Sequence, residues 1–283
     1  MQKIQDLPEE LVAEILGHLL SLPFGAFAGF QYHDFIPSDY FRLPSTLCPR
    51  RAHILLVCKQ WHRIGMPLLY ESVIVKTAAH ASNVASTVTE RPYLAQSITR
   101  LQISGGMGES LDRLLLMVGE SVRTLKLGVY LRENEGVTGI SRSLYRLSPL
   151  RLLLDVRIVG PSSTEEEKQA IGMLTSAMTQ WTSLGRVDLV RAPEQWLCSA
   201  LQQSPSLQYI CLSRFEVYNF VKTGSSAQDI MSIPTFKGVI ARDFDATAAA
   251  AQRKVFEERY PLAVKYIVSD QGWCQTRLML ATS

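Results

Sequence analysis

Seven short apolar segments recur between residues 97 and 269, and no other feature limits the possible folds as strongly. They read "SITRLQIS" (97–104), "VRTLKLG" (122–128), "LRLLLDV" (150–156), "LGRVDLV" (184–190), "LQYICLS" (207–213), "FKGVIAR" (236–242) and "VKYIVS" (264–269). Counted from Ile98, Val122, Leu150, Leu184, Leu207, Phe236 and Val264, the intervals are 24, 28, 34, 23, 29 and 28. Several follow the pattern apolar-x-x-apolar-x-apolar: Ile98, Leu101, Ile103; Val122, Leu125, Leu127; Leu184, Val187, Leu189; Leu207, Ile210, Leu212. Between them lie helical stretches such as "GESLDRLLLMVGES" and "STEEEKQAIGMLTSAMTQW".

A strand and a helix at intervals of this length are the sign of a leucine-rich solenoid, here with unequal and therefore degenerate repeats. A doubly wound parallel sheet also alternates strand with helix, so the pattern leaves both open. In a solenoid the strands line a concave face, and residues between the buried positions point out along it. These are Arg100, Gln102, Thr124, Lys126, Arg186, Asp188, Tyr209 and Cys211. Their mixture of cations, an acid and an aromatic ring suits a protein partner, although each is equally a plausible solvated strand residue.

The N-terminal part, 1–75, is different. "LPEELVAEILGHLL" (7–20) reads as a helix, with Asp6 as cap, Pro8 in the first turn, and Glu9 and Glu10 at the positive end of its dipole. Leu11, Val12, Ile15, Leu16 and Leu19 follow helical spacing, and Pro23 ends the run. An aromatic, proline-rich stretch, residues 23–51, is too irregular for a long helix and too aromatic for a disordered linker. It is expected to pack back on the helices. In "HILLVCKQWHRIGMPLLYESVIV" (53–75), Ile54, Val57, Cys58 and Trp61 form one helical stripe widened by Leu55 and Leu56. Pro67 is expected to start a further short turn, and a strand follows. Three short helices cannot bury such wide apolar faces among themselves, so the rest of the chain or a partner must cover them.

The two halves "LPEELVAEIL" and "LLVCKQWHRIGMPLLYESV" together resemble the F-box, with its Leu-Pro-x-Glu-Leu, Val-Cys-x-x-Trp and Leu-Leu-Tyr elements in order. The likeness runs from Leu7 to Val73, and the insertion at about 22–51 makes the gap longer than in the usual compact module. Similar gaps occur in fungal F-box proteins that continue into degenerate leucine-rich repeats, which this chain resembles for most of its length. The resemblance implies an α/β fold: a short helical F-box module over 1–75, then a degenerate leucine-rich-repeat-like solenoid with a parallel sheet over 76–283. It also implies docking on the linker subunit of a cullin–RING ubiquitin ligase. Carried over by position, Leu7, Pro8, Leu11, Ile15 and Leu16 contact the linker from the first helix, and Val57, Cys58, Trp61 and Leu68 from the second part. The competing reading makes all nine core residues packed on the protein's own repeats.

Composition narrows the function classes. The net charge of +3 comes from 29 Lys and Arg against 26 Asp and Glu, with no basic block, so no nucleic-acid partner is expected. Five cysteines at irregular spacing fit reduced thiols in the cytoplasm or nucleus. The acidic N-terminus does not read as a secretory signal, and no run is uninterruptedly apolar over a bilayer-spanning length, so no membrane partner is expected. Cys48, His53, Cys58 and His62 carry ligand chemistry, but their spacing lacks the close cysteine pair of zinc fingers. Gly105, Gly106 and Gly108 fit neither a dinucleotide fingerprint nor a P-loop, and read as a tight strand-to-helix turn. All five histidines (18, 33, 53, 62 and 80) precede the recurring segments, and no nucleophile elbow occurs. Neither an enzyme activity nor a cofactor or metal is expected.

The expected function is that of a substrate-recognition adaptor of an SCF-type ligase, binding an unidentified protein substrate through the repeats and promoting ubiquitin transfer by proximity. The alternatives are a non-catalytic repeat scaffold that recruits no ligase, and a nucleotide-dependent enzyme built round Gly105 to Gly108.

Overall fold

Each of the seven recurring segments contributes a strand to one parallel sheet, and an eighth strand precedes them. The computed structural model describes residues 7–28, 52–104, 108–129, 143–156, 165–213, 216–217, 219–220, 225–242 and 267–269. The strands are β1 (Ser72–Val75), β2 (Arg100–Ile103), β3 (Thr124–Val129), β4 (Arg151–Val156), β5 (Arg186–Leu189), β6 (Tyr209–Ser213), β7 (Gly238–Arg242) and β8 (Ile267–Ser269). They lie in strict chain order, every neighbouring pair parallel. A doubly wound sheet reverses its strand order at a switch point, and this one never does. The protein is therefore an α/β protein built on an eight-stranded, sequentially ordered parallel sheet.

The register explains the spacing of the apolar residues. Val73, Leu101, Leu125, Leu152, Val187, Ile210 and Val239 stand side by side and are all buried. Two residues on, Val75, Ile103, Leu127, Leu154, Leu189 and Leu212 form a second buried row. Both rows pack against helices that follow the strands: α4 (Ala78–Glu90), α5 (Tyr93–Ser97), α6 (Glu109–Val118), α7 (Glu165–Gln180), α8 (Gln195–Gln202) and α9 (Ser225–Met231). Leu111, Leu114, Leu115 and Val118 of α6, and Leu174, Ala177 and Met178 of α7, belong to the same continuous core. At about 1.5–3 kcal/mol for each large aliphatic side chain buried, this core is the main source of stability. Trp181, at the end of α7, is fully buried and donates its indole N–H to the Leu144 carbonyl at 3.1 Å.

Two repeating polar contacts lock the register. The carbonyl just before each of the first six strands accepts two consecutive N–H groups from the next repeat. Glu71 O takes those of Thr99 and Arg100, Thr99 O those of Arg123 and Thr124, and Arg123 O those of Leu150 and Arg151. Leu150 O, Gly185 O and Gln208 O continue the series. A hydroxyl residue stands ahead of six of the seven apolar starts, directly before five of them at Ser97, Ser121, Ser183, Ser206 and Thr235 and two residues before Leu150 at Ser148. Ser121 Oγ donates to Ile98 O at 2.9 Å, Ser206 Oγ to Leu184 O at 3.1 Å, and Thr235 Oγ1 to Leu207 O at 2.9 Å. These hydroxyls satisfy carbonyls at turns where no strand partner is available.

The third recurring segment, which carries β4, departs from the expected frame. Leu150, taken as its apolar start, is 49% exposed, whereas Pro149 is buried in that position. The open-face residues of β4 are consequently Arg151, Leu153 and Asp155, in register with Thr124, Lys126 and Gly128.

The N-terminal segment forms a second, smaller core. Helix α1 (Glu9–Leu20) follows Pro8, which occupies the N-cap position; Asp6 lies outside the described residues. Val12, Leu16 and Leu20 pack with Leu55, Met66 and, from α5, Leu94. The expected continuous stripe from Ile54 to Trp61 is broken. Ile54–Leu56 is a single 3-10 turn, and Cys58 adopts extended backbone to cap α3 (Lys59–Tyr70), its sulfur accepting from Trp61 N at 3.5 Å. Pro67 lies inside α3 rather than starting a new turn, which leaves the carbonyl of exposed Arg63 without a helical donor. Gly65 permits the close packing here: a Cβ at this position would overlap Leu55 Cδ2 and lie 2.8 Å from Leu20 Cδ1. Tyr70 packs against both cores, and β1, placed at the end of the N-terminal module by its sequence, is the sheet's first strand.

Candidate functional site

Two surfaces carry the residues singled out in the sequence. The first is the outer side of α1 and the turn before α3. Leu11, Ile15 and Leu19 of α1, with Leu7 just before it, lie four residues apart along the flank next to its buried face. With Leu56 and Val57, their exposures run from 37% to 78%, values unusual for so many large aliphatics on two short elements. Nearby, Arg63 pairs with Glu9 across the two helices. The nine residues expected to face a linker subunit therefore divide. Leu7, Pro8, Leu11, Ile15 and Val57 are exposed, whereas Cys58, Trp61 and Leu68 are half-buried. Leu16 is 0% exposed and belongs to the small core, so it presents nothing to a partner. The reason is angular: Leu16 shares the side of α1 with Val12 and Leu20, and α3 covers that side. The indole Nε1–H of Trp61 is buried with no acceptor among the described residues.

The second surface is the sheet face turned away from the helices. All eight residues expected there occupy two adjacent rows. Arg100, Thr124, Arg151, Arg186, Tyr209 and Gly238 form one; Ile74, Gln102, Lys126, Leu153, Asp188, Cys211 and Ile240 form the other. Counting from Leu150 does not put Arg151 on this face, whereas counting from the hydroxyl residue Ser148 does. The expectation that this face stands open is corrected for three of the eight. Arg186 is 8% exposed, and Asp188 and Cys211 are 0% exposed. Leu153 and Ile240 in the same row are buried too.

At the centre of this face, two guanidiniums hold one carboxylate. Arg151 donates Nε–H to Asp188 Oδ2 at 2.6 Å and Nη2–H to Oδ1 at 2.9 Å. Arg186, two residues from Asp188 on the same strand and hence on the same face, donates to the same two oxygens at 3.1 and 3.0 Å. Burial alone would push the Asp188 carboxyl up, but the hydrogen bonds and charges of Arg151 and Arg186 outweigh it and hold it below its ordinary value. Four charge-assisted bonds to one buried carboxylate make a rigid cross-strand clamp.

Beside the clamp, the chain's own helix α2 (Phe24–Ala28) lies across β2, β3 and β4. Arg100 Nη1 donates to Leu22 O at 2.7 Å and its Nη2 pairs with Glu71 at 2.9 Å. Lys126 Nζ donates to Ala28 O at 2.8 Å and Phe27 O at 3.2 Å, capping the negative end of α2. The Arg151 guanidinium sits 4.1 Å from the Phe24 ring centroid, and that of Arg100 5.9 Å from Phe27. The described part of the aromatic insertion thus packs on the sheet rather than on the helices as expected; residues 29–51 lie outside the described residues. Burial pushes the Lys126 ammonium below its ordinary value; Asp155 opposes the shift and Lys76 adds to it.

Other candidates gather less. Cys48, Gly105 and Gly106 lie outside the described residues, and among those described no three His, Cys, Asp or Glu side chains come together to hold a metal. Gly108 caps α6, whose first turn carries Glu109 and Asp112; both complement the helix dipole and would repel a phosphate there. The stretch Glu9–Ala28 is long and apolar enough to cross a bilayer by composition, but Ser21–Pro23 interrupt it between α1 and α2. Comparison with protein-family models, with curated proteins and with solved structures finds no match to this chain.

Proposed function

We propose that this chain is the substrate-recognition adaptor of an SCF-type cullin–RING ubiquitin ligase. On this reading residues 1–75 are an F-box-like module and residues 76–283 a degenerate leucine-rich solenoid that holds a protein substrate. The observation that carries it is the line of exposed aliphatics on α1, with Leu56 and Val57 beyond it, in the elements that resemble the F-box. An apolar helix face left bare beside a packed core is the geometry of helix-packing recognition, with its anchors desolvated only on docking. The sequential parallel order of the strands, with each strand paired only to its chain neighbours, supports the solenoid reading. Cys58, Cys198 and Cys211 form no disulfide, which suits the cytoplasm or nucleus. The adaptor itself makes and breaks no bond; it raises the effective concentration of a substrate lysine at the conjugating enzyme.

The second reading, a repeat scaffold that recruits no ligase, draws on the burial of Leu16 and the half-burial of Trp61. Co-purification with the linker subunit separates the two. Because Trp61 packs on the small core, its truncation would confuse unfolding with lost docking, so the discriminating variant is Leu11→Asp with Ile15→Asp. The proposal expects the wild-type chain to retain the linker and this variant to lose it. A wild-type chain that captures no linker, or a variant that captures as much, refutes it.

A further inference from the structure

Helix α2 has only five residues, too few to persist in water without outside support. Its support comes from the sheet, through groups that are general features of a helical turn. Arg100 and Lys126 read the carbonyl oxygens of Leu22, Phe27 and Ala28, and Arg100 and Arg151 lie over its two aromatic rings. Among the described residues, no side chain hydrogen-bonds to Gly25 or Ala26 between the rings. Gly25 is exposed, and a Cβ placed there would meet no atom within 4 Å. The recognition is therefore of shape and chemistry, and any turn with the same two rings and the same ending would satisfy it.

We propose that the open face of β2, β3 and β4 is a binding site for a chain terminus bearing two aromatic residues three apart on a helical turn and ending in a carboxylate, and that α2 occupies it as an internal, weaker ligand. The carboxylate follows from Lys126, a partly buried cation whose two α2 acceptors are neutral carbonyls and whose burial the nearby Asp155 carboxylate does not offset. A carboxylate in their place makes a charge-assisted bond, about twice as strong as one to a neutral acceptor. The rings, 6.5 Å apart at 43°, leave each guanidinium one ring face, a pairing that strengthens as water is excluded. A partner of this kind displaces α2 and takes its place beside the Asp188 clamp. This inference rests on the adaptor reading only in identifying the partner as a substrate.

The probe is a synthetic peptide of residues 21–28, SLPFGAFA, carrying 4-fluorophenylalanine in place of the first Phe, made once with a free C-terminal carboxylate and once as the amide. Fluorine NMR at up to millimolar peptide reads its binding to the full-length chain. The Phe24→Ala/Phe27→Ala chain, with its internal ligand weakened, is expected to bind the free acid at least tenfold more tightly than wild type does. Adding Lys126→Ala and Arg151→Ala is expected to lower that binding by roughly tenfold or more, the free-energy equivalent of one charge-assisted bond. The amide is expected to bind about tenfold less tightly than the acid. Equal binding to wild type and the double Phe variant, equal binding of acid and amide, or indifference to Lys126 and Arg151 overturns the proposal.

A measurement on the wild-type chain covers the case in which the Phe variant fails to fold. Amide hydrogen exchange of residues 22–28 is expected to quicken several-fold with millimolar free-acid peptide, because the competitor releases α2. Unchanged exchange overturns the proposal. None of these readouts involves the linker subunit, so their failure leaves the docking proposal standing, and failed docking leaves this site standing.

Discussion

Replacing Asp188 by asparagine tests whether the clamp on the sheet's open face holds the repeats together. The substitution keeps the side-chain shape but removes the charge that four guanidinium N–H bonds now share, and turns one acceptor atom into a donor. Breaking a buried ion pair by removing one partner costs about 3–5 kcal/mol. Arg151 keeps its stacking on Phe24 and some contact with water, so the lower end of that range applies, about 3 kcal/mol. The pH dependence follows from the depressed carboxyl. Its stabilising contribution is fully present above the unfolded value near 3.8 and is lost as pH falls below that through the lower folded value, because the unfolded chain takes up the proton first. The amide of the variant does not titrate in this range. Urea unfolding of both chains, followed by circular dichroism, is expected to show the gap of about 3 kcal/mol at neutral pH narrowing as the pH drops below the ordinary carboxylate value. A gap under about 1 kcal/mol at neutral pH, or one that stays constant into acid, refutes the claim that the two arginines fix this carboxylate.

Three further substitutions probe other parts of the fold. Gly65→Ala is expected to destabilise by about 1–2 kcal/mol despite the better helix propensity of Ala, because the new methyl meets Leu55 and Leu20; an unchanged urea midpoint refutes the close approach. Ser121→Ala removes a hydroxyl that lies within bonding distance of Ala95, Ile98 and Val118 carbonyls, and is expected to cost about 1 kcal/mol by the same assay. Leu11→Asp with Ile15→Asp is expected to leave the unfolding free energy within about 0.5 kcal/mol of wild type, since both side chains face outward; a large loss would place them in the core.

The sheet was legible in the sequence because each strand repeats one apolar spacing, and register requires neighbouring strands to bury equivalent positions. Alternation also assigned Arg100, Lys126 and Asp188 to the same face. It gave no information about what lies over that face, because period-two patterning records direction and not cover. Asp188 and Cys211 thus fit the pattern of solvated strand residues, whereas the arginine clamp encloses Asp188 and Cys211 is fully buried. Pro149 misled because a buried proline can stand in for a leucine at a turn that needs no N–H donor there. Cys58 misled for the opposite reason: Ile54, Val57, Cys58 and Trp61 satisfy helical spacing by position, yet the backbone turns at Cys58 to cap α3. On the candidate docking surface, helical periodicity found both sides of α1, but only the position of α3 tells which side is covered.

Because α2 is tied at once to β2, β3 and β4, it acts as a brace across three neighbouring repeats that would otherwise touch only one another. A row of strands joined solely to nearest neighbours can fray inward from either end. Here β2, β3 and β4 cannot separate strand by strand without first letting go of the brace, so this stretch is expected to hold longer under denaturant than strands joined by their neighbours alone.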